Sequence, residues 1–190
     1  MVALTSERVL LGAAVRYALA GAGMATPRLM ARPTPCAGWD LAALLDHLGD
    51  SIGALGEAIA TGRVGARAPP GPPGPEPGLV ARLRGRADRL LAACAAAPAA
   101  GRLIAVGDRE LTARLVAVTG AIEISVHGWD IFAACGTPRP VPAGLAAVLL
   151  PIAPLLITPA TRPGLFAAPV RLPGRACPGD HLVAFLGRCP

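Results

Sequence analysis

Glu123 and His127 stand four residues apart in the stretch Leu115 to Cys135, LVAVTGAIEISVHGWDIFAAC, where nearly every other side chain is apolar or small. Apart from the closing Cys135, the only other ionisable group in it is Asp130. On an α-helix, residues i and i+4 share one face, a turn apart. Burying a carboxylate and an imidazole is costly unless each is paired or binds a metal. A divalent ion that takes two ligands from one helix needs this spacing. A third candidate ligand, His47, lies in DLAALLDHL, a second apolar segment. Two imidazoles and one carboxylate leave a fourth coordination position for water or substrate, the pattern of a catalytic rather than a structural zinc site. The residues alone leave a plainer alternative open, in which His127 is a satisfied core histidine and Glu123 pairs with an Arg. Asp130, three residues beyond His127, could orient that ring as a hydrogen-bond acceptor, or merely bond its neighbours.

The elements that must position these groups read as helices. Leu111, Leu115, Val118, Ile122 and Trp129 form one stripe at about 100° per residue, and Val116, Ile124, Val126 and Ile131 widen it. A helix apolar on most sides is buried on most sides. It is expected to start near Asp108 and end at Gly136. The His47 helix starts at Asp40, a good N-cap, and runs on Leu41, Leu44, Leu45, Leu48, Ile52, Leu55 and Ile59. His47 falls at the edge of that stripe, with Asp46 and Asp50 turned further toward solvent. A first helix spans Ser6 to Gly21, with Ser6 as its cap. A third spans Leu79 to Ala97, with Arg82, Arg84, Arg86 and Arg89 forming a solvated face. The Pro- and Gly-rich segment Gly62 to Gly78 between the second and third is a surface connection. Leu103 to Val106 is a short strand or a plain connection. A helix over Leu145 to Ile157 is kinked or ended at Pro151 and Pro154. It is too short and interrupted for a membrane span. Asp180 to Leu186 forms one or two turns.

Composition sets the class. The 190 residues contain no Lys, Asn or Gln, every basic residue is Arg, and the net charge is +6. Ala and Leu dominate, which favours an all-α fold. We read residues 1–140 as a four-helix metal-binding bundle and 141–190 as a short, irregular C-terminal extension packed on it. The Arg residues are dispersed, apart from Arg82, Arg84, Arg86 and Arg89, and stacking aromatics are scarce, so the charge is weak evidence for nucleic acid. Five Cys without a CxxC pair, and an N-terminus without a signal-peptide layout, point to a cytoplasmic protein with reduced thiols. A Cys177–Cys189 disulfide is disfavoured there. Cys36, in the loop before the His47 helix, could reach the site or simply be buried. Trp39 and Trp129 are core aromatics, either of which could wall a pocket. His181, beside Asp180, reads as a surface residue.

Three stretches, TPCAGWDLAALLDHL (Thr34 to Leu48), EISVHGWDIFAACG (Glu123 to Gly136) and DHLVAFLGRCP (Asp180 to Pro190), together resemble one family. It comprises the small proteins that share the metal-binding domain of mycothiol-dependent maleylpyruvate isomerase, within the DinB/YfiT-like superfamily. The resemblance implies a DinB-like antiparallel four-helix bundle whose helix order is not the simple up-down one. It also implies a divalent metal, usually zinc, on His47, Glu123 and His127, with mycothiol as a co-substrate. The isomerase carries a further C-terminal α/β domain that this chain is too short to hold, so the isomerase reaction itself does not transfer. The resulting expectation is a thiol-dependent metalloenzyme acting on a small electrophile by S-transfer or isomerisation, as a monomer or homodimer without a nucleic-acid or membrane partner. The alternative is a non-catalytic metal-binding or interaction bundle, which a fourth protein ligand such as Cys36 would favour.

Overall fold

The computed structural model describes residues 7–64, 78–97 and 102–190. The expected Ser6 cap and most of the Gly62–Gly78 connection lie outside them. Four long helices carry the structure: α1 (Glu7–Ala22), α2 (Leu41–Thr61), α3 (Leu79–Ala96) and α4 (Ala113–Ala134). An antiparallel hairpin, β1 (Leu103–Val106) with β2 (Arg109–Thr112), precedes α4. Three short helices follow, α5 (Ala143–Leu149), α6 (Ala153–Leu156) and α7 (Pro178–Phe185). Among the described residues the fold is all-α apart from that hairpin.

Helix directions follow from residue-level contacts. A Cβ on Gly128 of α4 would stand 3.0 Å from Ala18 Cα of α1, and one on Gly21 would meet Phe132 at 3.2 Å. Both contacts advance together along the chain, so α1 and α4 run parallel. The α2–α3 seam is parallel too, since Asp46 meets Arg82 and Asp50 meets Arg86. Across the bundle the pairs are antiparallel: His47 lies opposite Glu123, while Leu55, further along α2, lies against Gly120. Likewise Gly12 of α1 faces Leu91 of α3, whereas Gly23 faces Arg84. The order is therefore up, down, down, up, with α1 between α4 and α3 and α2 between the same two. This departure from simple up-down order is what the resemblance implied.

The core is mostly aliphatic. Leu11, Leu41, Leu44, Leu45, Leu48, Ile52, Leu83, Leu90, Ile124, Ile131 and Phe132 are all fully buried. Although α4 is long and apolar enough to cross a membrane by length and composition, most of it is buried in the bundle.

Three expectations need correction. The helix expected from Asp108 starts at Ala113: Gly107, at φ +61°, turns a hairpin, and Thr112 caps α4 by accepting the Leu115 N–H. Leu111 thus lies in β2. The hairpin won because it docks: β1 bonds the end of α2 through Ala105 N to Gly62 O and Val64 N to Ala105 O, each 2.8 Å. The expected Leu145–Ile157 helix is broken at Pro151, as expected, into α5 and α6, but Pro154 neither kinks nor ends a helix. Pro151 lies in the break and Pro154 in the first turn of α6, where its missing N–H costs nothing. Of the Arg face, Arg84 and Arg89 are exposed as expected. Arg82 and Arg86 instead cross to α2, bonding Asp46 at 3.3 Å and Asp50 at 2.7 Å.

Candidate metal centre

His47 and Glu123 arrive from antiparallel helices, and their heads meet. Glu123 Oε1 lies 2.9 Å from His47 Nε2 and 3.2 Å from His127 Nε2. One donor atom from each of the three lies within 4.8 Å of the others. Around a tetrahedral ion with bonds near 2.0–2.1 Å, ligand atoms stand roughly 3.3 Å apart. The two distances to Glu123 Oε1 lie within a few tenths of an ångström of that spacing, and the third donor pair is within 4.8 Å, so the three side chains fit such an ion. Glu123 and His47 are about a third exposed, at 31% and 27%, so the site opens toward solvent on their side.

His127 is held from behind. Its Nδ1 lies 3.1 Å from Asp130 Oδ2, on the next turn of α4. A proton on Nδ1 would donate to that carboxylate and leave the Nε2 lone pair for a cation, the tautomer that metal-binding histidines require. Asp130 is fully buried and collects three donors. Besides His127, it accepts the Cys36 thiol at 3.1 Å and a two-pronged Arg188 guanidinium, Nε to Oδ1 at 3.1 Å and Nη2 to Oδ2 at 2.8 Å.

Without a cation, the electrostatics bind the site to itself. Burial raises the Glu123 carboxyl, but hydrogen bonds from His127 and His47 outweigh it and hold the group far below its usual range. Burial works against charge on His127 as well. The bonds to Asp130, Cys36 and Glu123 prevail, and its imidazolium is pushed up to about 11. For Asp130, bonds from His127 and Arg188 likewise overcome burial and keep it ionised.

The loop that brings Cys36 and Trp39 is a tight turn built by TPCAGW. Thr34 Oγ1 accepts the Cys36 N–H and donates to Trp39 O at 3.0 Å, Trp39 N–H returns to Cys36 O, and Gly38 takes φ +81°. Trp39 then lies 4.6 Å, ring to ring, from His47 and 6.1 Å from His127, so it walls one side of the site. Trp129 does not come there. It is turned roughly 200° round α4 from His127 and lies buried in the core. Cys36 lies on the Nδ1 side of His127, at 3.7 Å, facing away from Glu123. It belongs to a separate cluster with His127 and Asp130. His181 is half-buried in α7 rather than a surface residue, and all five Cys are free thiols.

Two participants were not assigned from the residues. Ser51, one turn beyond His47, places its hydroxyl 3.4 Å from Glu123 Oε1. Its i+4 spacing from His47 was the available signal. Arg188 was legible only as part of a C-terminal motif, since nothing local shows that a residue 58 positions after Asp130 returns to it.

Residues 11–132 match the model of the mycothiol maleylpyruvate isomerase N-terminal domain. The chain belongs to that family. The mycothiol maleylpyruvate isomerase N-terminal domain family is mycothiol-related, DinB-like and metal-binding, and the match contains His47, Glu123, His127 and Asp130. Two uncharacterised proteins of Mycobacterium tuberculosis are also similar to it: MT0763 of strain CDC 1551 / Oshkosh and Rv0738 of strain H37Rv. Each is 30% identical over 158 residues, covering 82% of this chain and 83% of its own. No solved structure matches the chain.

Proposed function

We propose that the protein is a cytoplasmic zinc enzyme of thiol chemistry. It would bind its ion through His47 Nε2, Glu123 Oε1 and His127 Nε2, and transfer or isomerise a small electrophile with a low-molecular-weight thiol, mycothiol, as co-substrate. The observation that carries this is the convergence of those three heads on one point, with a side open to solvent. A zinc ion there would supply Lewis acidity that lowers the pKa of a bound thiol, so that a thiolate is available at neutral pH.

The chain's own residues do the rest. Asp130 fixes the His127 ring and its tautomer. Glu123 brings the one negative charge among the three ligands, which leaves the loaded centre net positive and suited to an anionic sulfur. Trp39 gives the mouth an apolar wall on which a small substrate can lie. Among the described residues no fourth metal-competent side chain joins the set, and Cys36 lies behind the ring. That supports an open coordination position over a closed structural site. The small substrate and thiol are the only partners this reading needs, and a monomer or homodimer would serve it.

Metal analysis of the purified protein tests the ligand set. Near-stoichiometric zinc is expected in wild type and little in the His47→Ala, His127→Ala double variant; zinc retained there would remove these ligands. Consumption of mycothiol with a panel of electrophiles tests turnover. A rate no better than free zinc would leave a metal-binding module without catalysis.

A further inference from the structure

We infer that Arg188 is a positioning residue for the metal centre, acting through Asp130 on the ring of His127; this rests on the metal reading above. Asp130 has no exposure at all, and the Arg188 side chain is 9% exposed. A buried carboxylate that must stay ionised to accept an imidazole proton needs a counter-charge at hand. Arg188 supplies it in two-pronged form, the geometry that fixes a carboxylate in plane as well as in charge. The oxygen it grips most closely, Oδ2, is the one that meets His127 Nδ1. The same Nη2 stands 3.2 Å from Cys36 Sγ, so a single guanidinium fixes two of the groups arrayed behind the ring.

The backbone is built to aim this residue. Helix α7 ends with Arg188 N bonded to Val183 O and Gly187 N to Ala184 O, and Gly187 takes φ +84°. This is the paired closure that favours Gly at the left-handed position. A Cβ at Gly187 would stand 2.7 Å from Ala167 O, so a side chain there would displace the turn. Arg188 also donates to Leu186 O at 3.0 Å, which folds its own stem back toward α4. Its neighbours Leu182, Val183 and Leu186 are fully buried, so the anchor is rigid. The sequence LGR thus reads as anchor, turn and arm.

Zinc affinity by chelator competition, on the full chain, tests this. Partners behind a metal-bound histidine change affinity by about 10–100-fold when removed. Arg188→Ala is expected to weaken zinc by that factor, Arg188→Lys by less, and Asp130→Asn by a similar factor to Arg188→Ala. The Arg188→Ala, Asp130→Asn double variant should be no weaker than the poorer single one, since both act through one bond. NMR of the loaded protein should show the His127 Nδ1 proton protected from solvent exchange in wild type and exchanging faster in Arg188→Ala. If Arg188→Ala fails to fold, Gly187→Ala, which keeps the guanidinium but moves it, should weaken zinc at least several-fold. Wild-type affinity in the folded arginine variants, or losses that multiply in the double variant, would overturn the inference. Absence of zinc from wild type would instead overturn the metal reading on which it stands.

Discussion

At the scale of single residues, the proposed centre sets protons against a cation for the same atoms. His127 is held charged up to about 11 in the metal-free protein, against an ordinary 6.5. The stability this contributes is whole below pH 6.5 and is lost as pH rises toward 11. Glu123 and Asp130 are held below their ordinary 4.5 and 3.8, so their contribution is whole above those values and is lost as pH falls beneath them. Chelator-treated protein should therefore melt highest between roughly pH 5 and 6.5 and lose stability on both sides. The alkaline loss should vanish in His127→Gln; a melting profile flat from pH 6.5 to 10 would contradict the charge assignment. A metal must displace the proton on Nε2. Calorimetry in buffers of differing ionisation heat should find about one proton released per zinc at neutral pH, and Cys36→Ser should still bind one zinc.

At the scale of elements, the seams decide how well the ligands are placed. Gly128 adjoins His127 and lets α1 approach α4 closely. Gly128→Ala gains helix propensity of up to about 1 kcal/mol but forces a methyl against Ala18 Cα at 3.0 Å and the Tyr17 ring. Overpacking of this kind costs about 1–3 kcal/mol, so denaturant titration should find a net loss of about 1–2 kcal/mol. Thr112→Ala removes the cap of α4 and should cost about 1 kcal/mol. These seams also show what a sequence discloses. Periodicity located all four long helices and placed His47 at the rim of its stripe, where the structure has it. It missed β2, because RELT has no alternation of its own and pairs only through its contact with β1 and the end of α2. It did not reveal Arg82 and Arg86 as cross-helix partners, since a charged helical face looks the same whether water or a neighbouring carboxylate meets it. Glu123 and His127 were legible as a pair because one helix fixes their spacing, whereas Arg188 depends on tertiary geometry that no local pattern carries.

At the scale of the whole molecule, the proposed ligands come from α2 and α4, the two helices that cross at the site. An ion shared between them should tie the bundle together. Zinc at 100 times its dissociation constant would add about 2.7 kcal/mol, which for a chain of this size raises the melting temperature by about 5–10 °C. Thermal melts with zinc and with chelator read this directly; equal midpoints would mean that the ion does not bind the native state.

The helix order also dictates a schedule for synthesis. Since α1 leaves the ribosome before its close partner α4, which starts about ninety residues later, the flank of α1 that α4 covers stays uncovered for seconds. A chain halted before α4 has lost no ligand from α2 yet exposes Leu11, Val15 and Ala18 to whatever greasy surface is nearest. Holding chaperones should bind such stalled fragments and release the chain once α4 has docked.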